Sequence, residues 1–364
     1  MDFELSDDQR AFQEAVRKFL QANSSSADVR RFLDGSASYD RRVWASMAHE
    51  LGLHGLVVAD EHGGAGAGFL ELALVLEEMG RAMLCAPFFA TVVLAGTALR
   101  CANDSAAEQA WLPKIATGDV VATLALVDAD GPTTARRTSR GWALNGRKTF
   151  VMDGVSADLV LVTAETGAGL SLFAVRAPAD GLTCTPLPVL DPTRPLAQLD
   201  FDRVDASLVG SDGGAAEPLA RTMDLAAIGL AAEQLGGAQA CLDMAVAYAG
   251  SRVQFGRPIG SFQAIKHKCA DMFVDVETSR CAVYFAAWSV DNDPDDLPLL
   301  ADMTGSFASD AFYRSAATNL QIHGGIGYTW EHDAQLYFKR ATASARILAL
   351  PSARRESVAH RIGL

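Results

Sequence analysis

Two changes of hydrophobic period, one on each side of a central block, constrain this chain more than any other feature. From about residue 119 to 218 the runs VVATLALV, GWALNGRKTFVM, DLVLVTAE, LSLFAVRA and AQLDFDRV are short, β-rich and broken by turn residues. Asn145-Gly146 carries a two-residue hairpin signal. On both sides of the block apolar residues recur at helical spacing. Strands set between two helical stretches predict an α+β chain. Its expected parts are a helical domain over 1–118, a small antiparallel β-domain of sandwich or barrel type over 119–218, and a helical bundle over 219–364.

The stretch LSDDQRAFQEAVRKFL places Ser6 as an N-cap with Gln9 three residues on, a capping-box pattern. Phe12, Val16, Phe19 and Leu20 follow on one helical face. The glycine run HGGAGAGF (62–69) reads as a loop, because no Lys-Ser/Thr follows it as in a phosphate cradle. Beyond residue 219 three long helices are expected: MDLAAIGLAAEQLGGAQACLDMAVAYAGSRVQ, SFQAIKHKCADMFVDVETSRCAVYFAAW and LPLLADMTGSFASDAFYRSAATNLQIH. AQLYFKRATASARILAL is expected as a single last helix. Small residues along these helices permit the close approach of a bundle.

Composition narrows the function. A net charge of −13 speaks against a nucleic-acid backbone as partner. One local arginine can still hold a phosphorylated small molecule inside an acidic protein. Cys85, Cys101, Cys184, Cys241, Cys269 and Cys281 form no CxxC pair, and they read as reduced, buried thiols of a cytoplasmic protein. The start MDFELSDDQRAF has no signal-peptide pattern, and no apolar run reaches the length of a membrane span. The histidines include no HExxH and no ligand-like pair, so no catalytic metal is expected.

Two loops carry the chemistry. In SRVQFGRPIGSFQ, Arg252 offers a planar fork for phosphate oxygens and Phe255 a ring face for a base or apolar ring. In QIHGGIGY, Gly324 and Gly325 leave main-chain N–H groups open to a ligand. Gln263 and Gln321 add donors and acceptors. Together these suit the pyrophosphate and adenine of a dinucleotide. Singly each has a plainer reading: Gly-Gly after a helix is a stop signal, and an arginine at a helix end meets the dipole.

The helix–β–helix order, with SRVQFGRPIGSFQ followed by QIHGGIGYTWEHD, resembles the acyl-CoA dehydrogenase family over the whole chain. The resemblance implies an N-terminal helical domain, a middle antiparallel β-domain and a C-terminal four-helix bundle. It also implies FAD shared across a subunit interface, with the bundle of one chain holding the ADP half of its neighbour's cofactor. Arg252, Gln321 and the Gly324–Gly325 backbone would then meet the pyrophosphate, Phe255 the adenosine side and Gln263 the adenine. The implied reaction is oxidation of an acyl-CoA, bulky or steroid-derived groups included, to the α,β-enoyl-CoA. The implied electron acceptor is an electron-transfer flavoprotein.

In that family a carboxylate removes the α-proton while hydride passes to the flavin. Counting from Gly324 by the spacing of one branch lands near Leu348, and counting back from Arg252 by that of another lands on Ala226; neither is an acid. A shift of a few residues leaves Asp224 in play. Glu233, two helical turns beyond Ala226, is the substitute candidate, and its plainer reading is a pair across the bundle. Glu331 and Asp333 read as N-cap groups of the last helix. On the flavin side FVMDG (150–154) keeps an aromatic, Phe150, but has Met152 where the family carries a hydroxyl, and LVDADG (126–131) lacks the usual threonine. The ADP-binding half of the site is therefore present and the flavin-side half eroded. This implies one chain of a heterotetramer whose related partner chain supplies the base. The alternatives are a self-sufficient homotetramer using Glu233, a non-catalytic scaffold or thioester-binding subunit, and a member acting on another flavin substrate such as an acyl-carrier thioester.

Overall fold

The structure, a computed structural model, describes residues 4–33, 38–139, 141–293 and 296–364. Its α-helices are α1 (Asp7–Asn23), α2 (Ser26–Arg31), α3 (Arg41–His49), α4 (Phe69–Arg81), α5 (Thr97–Cys101), α6 (Ser105–Ala116), α7 (Ala216–Ser251), α8 (Gln263–Asn292), α9 (Leu297–His323), α10 (Ala334–Ser344) and α11 (Pro351–Arg361). The strands are β1 (Ala122–Ala125), β2 (Val127–Asp128), β3 (Thr134–Thr138), β4 (Gly141–Met152), β5 (Leu159–Thr166), β6 (Gly169–Arg176), β7 (Leu182–Pro186), β8 (Leu196–Val209), β9 (Val253–Gln254) and β10 (Arg257–Pro258). The chain divides into two compact units, residues 1–31, 68–84 and 227–364 in one, and 32–67 and 85–226 in the other. The helical stretch 1–118 thus contributes to both units.

The second unit is built on the sheet. Its strand order is β2-β4-β3-β5-β6-β8-β7, and a further β4–β8 pairing closes β4, β3, β5, β6 and β8 into a ring, a barrel. Most pairs are antiparallel, but β1 joins β5 in parallel, as does β3 at one position. Trp142, Val160, Val162, Phe173 and Leu199 fill the interior from alternate strand positions. Asn145-Gly146 is no hairpin turn. It lies inside β4 at a shift of register against β8. Gly146 sits at φ +143°, and a Cβ there would come 2.7 Å from Thr133 Cα. The dipeptide thus serves a bulge where two backbones meet, with Asn145 Oδ1 accepting from Arg203 N at 3.0 Å.

His54 in this unit is fully buried, edge-on to Trp44 at 3.9 Å between ring centroids, and neither ring nitrogen has a hydrogen-bond partner among the described residues. Burial pushes its pKa down to about 3, with His49 adding a smaller push. The folded state therefore binds fewer protons than the unfolded one between that value and the ordinary pKa. Stability is complete above about pH 6.5 and is lost as the pH falls. At pH 5 the loss from this group is about 2 kcal/mol. A urea series at pH 7 and pH 5 should show that drop in the wild type and a smaller one in His54→Leu.

The first unit is a helical bundle. Ser6 accepts from Gln9 N at 3.1 Å and Gln9 Oε1 from Ser6 N at 2.9 Å, completing the expected capping box. Helices α4 and α7 cross with their backbones touching: a Cβ at Gly236 would lie 1.7 Å from Glu77 O, and one at Gly80 would lie 1.9 Å from Glu233 O. Gly237 leaves room for the Phe312 ring of α9 at 2.5 Å from the same hypothetical atom. The small residues legible in LGGAQA are thus crossing points. Beside them lies a buried polar network. Arg280 and Tyr284 of α8 both bind Glu77, the tyrosine at 2.7 Å. Arg17 of α1 holds Glu78 through two bonds of 2.7 and 2.9 Å. The last helix expected over 334–350 ends early, at Ser344, and a further helix follows beyond that run. The chain turns after Ser344, and Pro351 opens α11, as its fixed φ and missing N–H favour at a first helical position. The thiols also depart from expectation, since Cys281 is exposed and Cys101, Cys184 and Cys269 are half-buried.

Candidate functional site

The interruption after α7 is a complete device. Arg252 N donates to Tyr248 O at 2.8 Å, and Ile259 N donates to Arg252 O at 2.8 Å. Between them β9 and β10 form a hairpin whose turn, Phe255-Gly256, has φ of +51° and +77°. A type I′ turn needs positive φ at both positions, usually Asn-Gly. A phenylalanine there is strained by about 1–2 kcal/mol. That strain holds Phe255 outward, 91% exposed. Gly260 lets the following turn lie on α7, because a Cβ would be 2.9 Å from Ala249 O. Gln263 then opens α8, exposed.

The second loop meets the first. The Tyr248 ring stacks on His323 at 4.3 Å, which sets the C-terminal ends of α7 and α9 side by side. Arg252 lies one turn beyond Tyr248, and Gly324 directly follows His323. Gln321 is exposed on the last turn of α9. Gly324, at φ +62°, donates its N–H to Leu320 O and ends the helix. Among the described residues, no atom beyond the local backbone lies within 4 Å of a hypothetical Cβ on Gly324 or Gly325. Arg252 is exposed and forms no ion pair among the described residues, whereas Arg257 nearby lies over the Phe262 ring at 4.1 Å. The structure thus brings Arg252, Phe255, Gln263, Gln321, Gly324 and Gly325 to one end of the bundle. A free guanidinium beside an open glycine cradle and an outward ring fits a dinucleotide's phosphates and base.

Phe150 belongs to the other unit. It stands in β4 within the register shift between Lys148 and Val151, with φ +54° and 63% exposure. It is a second aromatic held outward by left-handed backbone. Met152 is buried, and its carbonyl accepts from Thr123 Oγ1 at 2.6 Å, so its side chain takes no place on the surface. In LVDADG, Asp128 binds the buried ammonium of Lys148 at 2.7 Å and accepts from Thr133. Burial lowers the Lys148 pKa and Asp128 offsets part of that. Nothing in the residue spacing marked this pair, because the partners meet only through β2–β4 pairing.

Acid positions are also settled in geometry. Ala226 is buried and Leu348 is apolar. Asp224 is half-buried on α7. Glu233 is buried and holds Arg340 of α10 at 2.8 Å. Asp333 occupies the N-cap position of α10 but its carboxylate does not cap it; it accepts from Ser26 Oγ at 2.7 Å and Arg30 Nη2 at 2.5 Å. His332 caps in its place, Nδ1 accepting from Ala334 N at 3.1 Å. Glu331 is exposed. No cluster of three or more metal-ligating side chains occurs among the described residues, and no helix of the described chain is long and apolar enough to cross a membrane.

A helical bundle and a β-barrel in this chain order define the class of fold, and the comparisons with known proteins identify its family. The acyl-CoA dehydrogenase N-terminal domain model matches residues 6–119 and the C-terminal domain model residues 216–350. The acyl-CoA dehydrogenase IpdE2 of Mycolicibacterium smegmatis is 35% identical over 95% of this chain and 96% of its own length. Among solved structures, the ChsE4-ChsE5 complex from Mycobacterium tuberculosis matches with a TM-score of 0.91, 29% identity and coverage of 100% of this chain and 99% of the other. Butyryl-CoA dehydrogenase from Megasphaera elsdenii matches with a TM-score of 0.92, 26% identity and full coverage of both chains. The chain belongs to the acyl-CoA dehydrogenase family, whose members are FAD-dependent oxidoreductases.

Proposed function

We propose that this chain oxidises an acyl-CoA thioester to the α,β-enoyl-CoA as one member of a tetramer with a related dehydrogenase chain. In this reading it holds the ADP half of FAD and the partner supplies the catalytic base. The observation that carries it is the contrast within the chain itself. Among the described residues, the Gly324–Gly325 cradle is open and Arg252 forms no ion pair, while the buried acid Glu233 is committed to Arg340. The likeness to a two-component assembly, ChsE4-ChsE5, points the same way.

Bound FAD would supply the hydride acceptor. Arg252 would neutralise pyrophosphate charge, with charge-assisted bonds stronger than neutral ones. Phe255 would cover the adenosine side, and Phe150 would pack against the flavin ring. The carbanion-like α-carbon needs a base on the opposite side of the acyl chain, within hydrogen-bond reach of the proton. Among the described residues, Glu233, the acid weighed for this role, is bound to Arg340. Reducing equivalents would leave to an electron-transfer flavoprotein.

The test is the visible spectrum of the chain purified alone and after co-expression with a related dehydrogenase chain. Alone, it should carry well under one flavin per chain; with the partner it should turn yellow and oxidise acyl-CoA. A yellow, active chain on its own overturns the division of labour. In the loaded complex Arg252→Gln should weaken FAD binding by about 10–100-fold, the worth of a charge-assisted hydrogen bond. Equilibrium dialysis against FAD reads that directly.

A further inference from the structure

The segment that carries the glycine cradle from α9 to α10 is thinly held by its own residues. Gly324 and Gly325 bring no side chain, Ile326, Tyr328 and Trp330 are exposed, and Gly327 is the one buried residue between 324 and 331. Its local ties are short-range. Thr329 N and Oγ1 both donate to Ile326 O, at 3.1 and 2.8 Å, and the His332 ring lies 4.2 Å from the His323 ring. A loop with little buried surface and adjacent glycines opens easily. A ligand that needs one of its shapes then binds more weakly, by the fraction of time the loop spends in the others.

Further ties come from the opposite end of the sequence. Arg30 of α2 donates through Nη1 to Trp330 O and through Nη2 to Asp333 Oδ1, the latter at 2.5 Å. Its Nε donates to Ser26 Oγ at 3.3 Å, and that hydroxyl donates to the same Asp333 oxygen at 2.7 Å. The planar guanidinium thus grips two points of the outgoing segment, three residues apart, with its own orientation set by Ser26. A half-exposed ion pair alone adds little to stability. The second bond gives the contact its positional effect, because its acceptor is the main chain itself. Helix α2 is too short to persist unaided. Val29 is buried, Ser25 Oγ donates to Asp28 at 2.6 Å, and Ser24 Oγ donates to Ala82 O, just past α4, at 3.2 Å. The tie therefore runs from the end of α4 through α2 to the cradle, all within the helical unit.

We infer that Arg30 is a positioning residue for FAD: by bridging Trp330 O and Asp333 it holds the Gly324–Gly325 cradle in the shape that meets the pyrophosphate. This rests on the assignment of the cradle to FAD and adds a residue from the far end of the chain that touches no part of the cofactor. Holding the loop in its bound shape beforehand strengthens binding by removing the ordering cost from the binding step.

The test uses the co-expressed complex, with FAD affinity read by equilibrium dialysis and loop motion by hydrogen exchange. Arg30→Met keeps the apolar stem and removes the fork. It should raise the FAD dissociation constant about ten-fold and speed exchange of peptides covering 324–333 by a similar factor. Peptides covering 270–290 of α8 should keep wild-type rates. Arg30→Lys keeps a cation for Asp333 but cannot bridge both acceptors, so it should fall between Arg30→Met and the wild type. Ser26→Ala, a milder change at an exposed position, should weaken FAD by about two- to three-fold. Wild-type FAD affinity in Arg30→Met, with weakened binding in Arg252→Gln, overturns the inference and leaves the cradle assignment standing. Wild-type affinity in both variants removes the cradle assignment and the inference with it. Faster exchange across α8 as well as the loop also overturns the inference, since Arg30 would then support the whole unit rather than position the cradle.

Discussion

Gly236→Ala should destabilise the helical unit by about 3 kcal/mol or more, at the upper end of what overpacking costs. The added methyl would sit 1.7 Å from Glu77 O and 2.8 Å from Arg81 N, both backbone atoms of α4. A side chain could swing aside; a helix backbone cannot without moving its whole packed face. The displacement would also strain the network beside the crossing, where Glu77 meets Arg280 and Tyr284 and Glu78 meets Arg17. Helix propensity alone would favour alanine by roughly 1 kcal/mol, so the sign of the result separates the two effects. Thermal melts should place the variant about 6–12 °C below the wild type. Gly250→Ala serves as control, because a Cβ there meets nothing within 4 Å and the helix should gain slightly. Equal melting temperatures for Gly236→Ala and wild type would mean the two backbones are not in contact.

Arg340→Leu should cost about 3–5 kcal/mol, because it takes the guanidinium away from a buried carboxylate. Glu233 and Arg340 are both nearly inaccessible and lie 2.8 Å apart. Replacing both by leucine should recover most of the loss, as apolar replacements of buried ion pairs often do. The pair also decides the role of Glu233. If it is a structural partner, the folded Glu233→Gln complex should turn over acyl-CoA within a few-fold of wild type, with the cost seen in denaturant midpoints. If it is the base, turnover should collapse by several orders of magnitude while stability changes by the same amount as before. Chemical denaturation and stopped-flow flavin reduction, run on one preparation, separate these results.

The parts of this molecule that are local in sequence could be read from it. The capping box at Ser6 and Gln9, the bounds of α9, and the breaks at Phe255-Gly256 and Gly324 all follow from residues within a few positions of one another. β3 and β7 escaped because they are short and largely exposed, so no apolar alternation marks them. The last helix was expected too long because the run AQLYFKRATASARILAL stays apolar through a turn, and the helix beyond it escaped although Pro351 was a sufficient signal for its start. Asn145-Gly146 misled for a different reason. Glycine at positive φ serves a bulge as well as a turn, and only the neighbour, Thr133, decides between them. The site divides along the same line. The residues proposed for the ADP side sit in two contiguous motifs, whereas Glu233–Arg340, Lys148–Asp128 and His323–His332 depend on which elements become neighbours.

The discontinuity of the helical unit has a consequence during synthesis. Its segments lie at 1–31, 68–84 and 227–364, whereas the barrel unit has all its residues by position 226. A nascent chain can therefore complete the barrel while the earlier helices still lack α7 to α11. Until then the Glu77 carboxylate has no Arg280 or Tyr284, and the apolar face of α4 waits on a partner not yet made. The exposed interval spans the translation of more than a third of the protein. Over that interval the early helices depend on shielding by other means, which makes the order of synthesis, and any chaperone that binds α4, part of how this fold is reached.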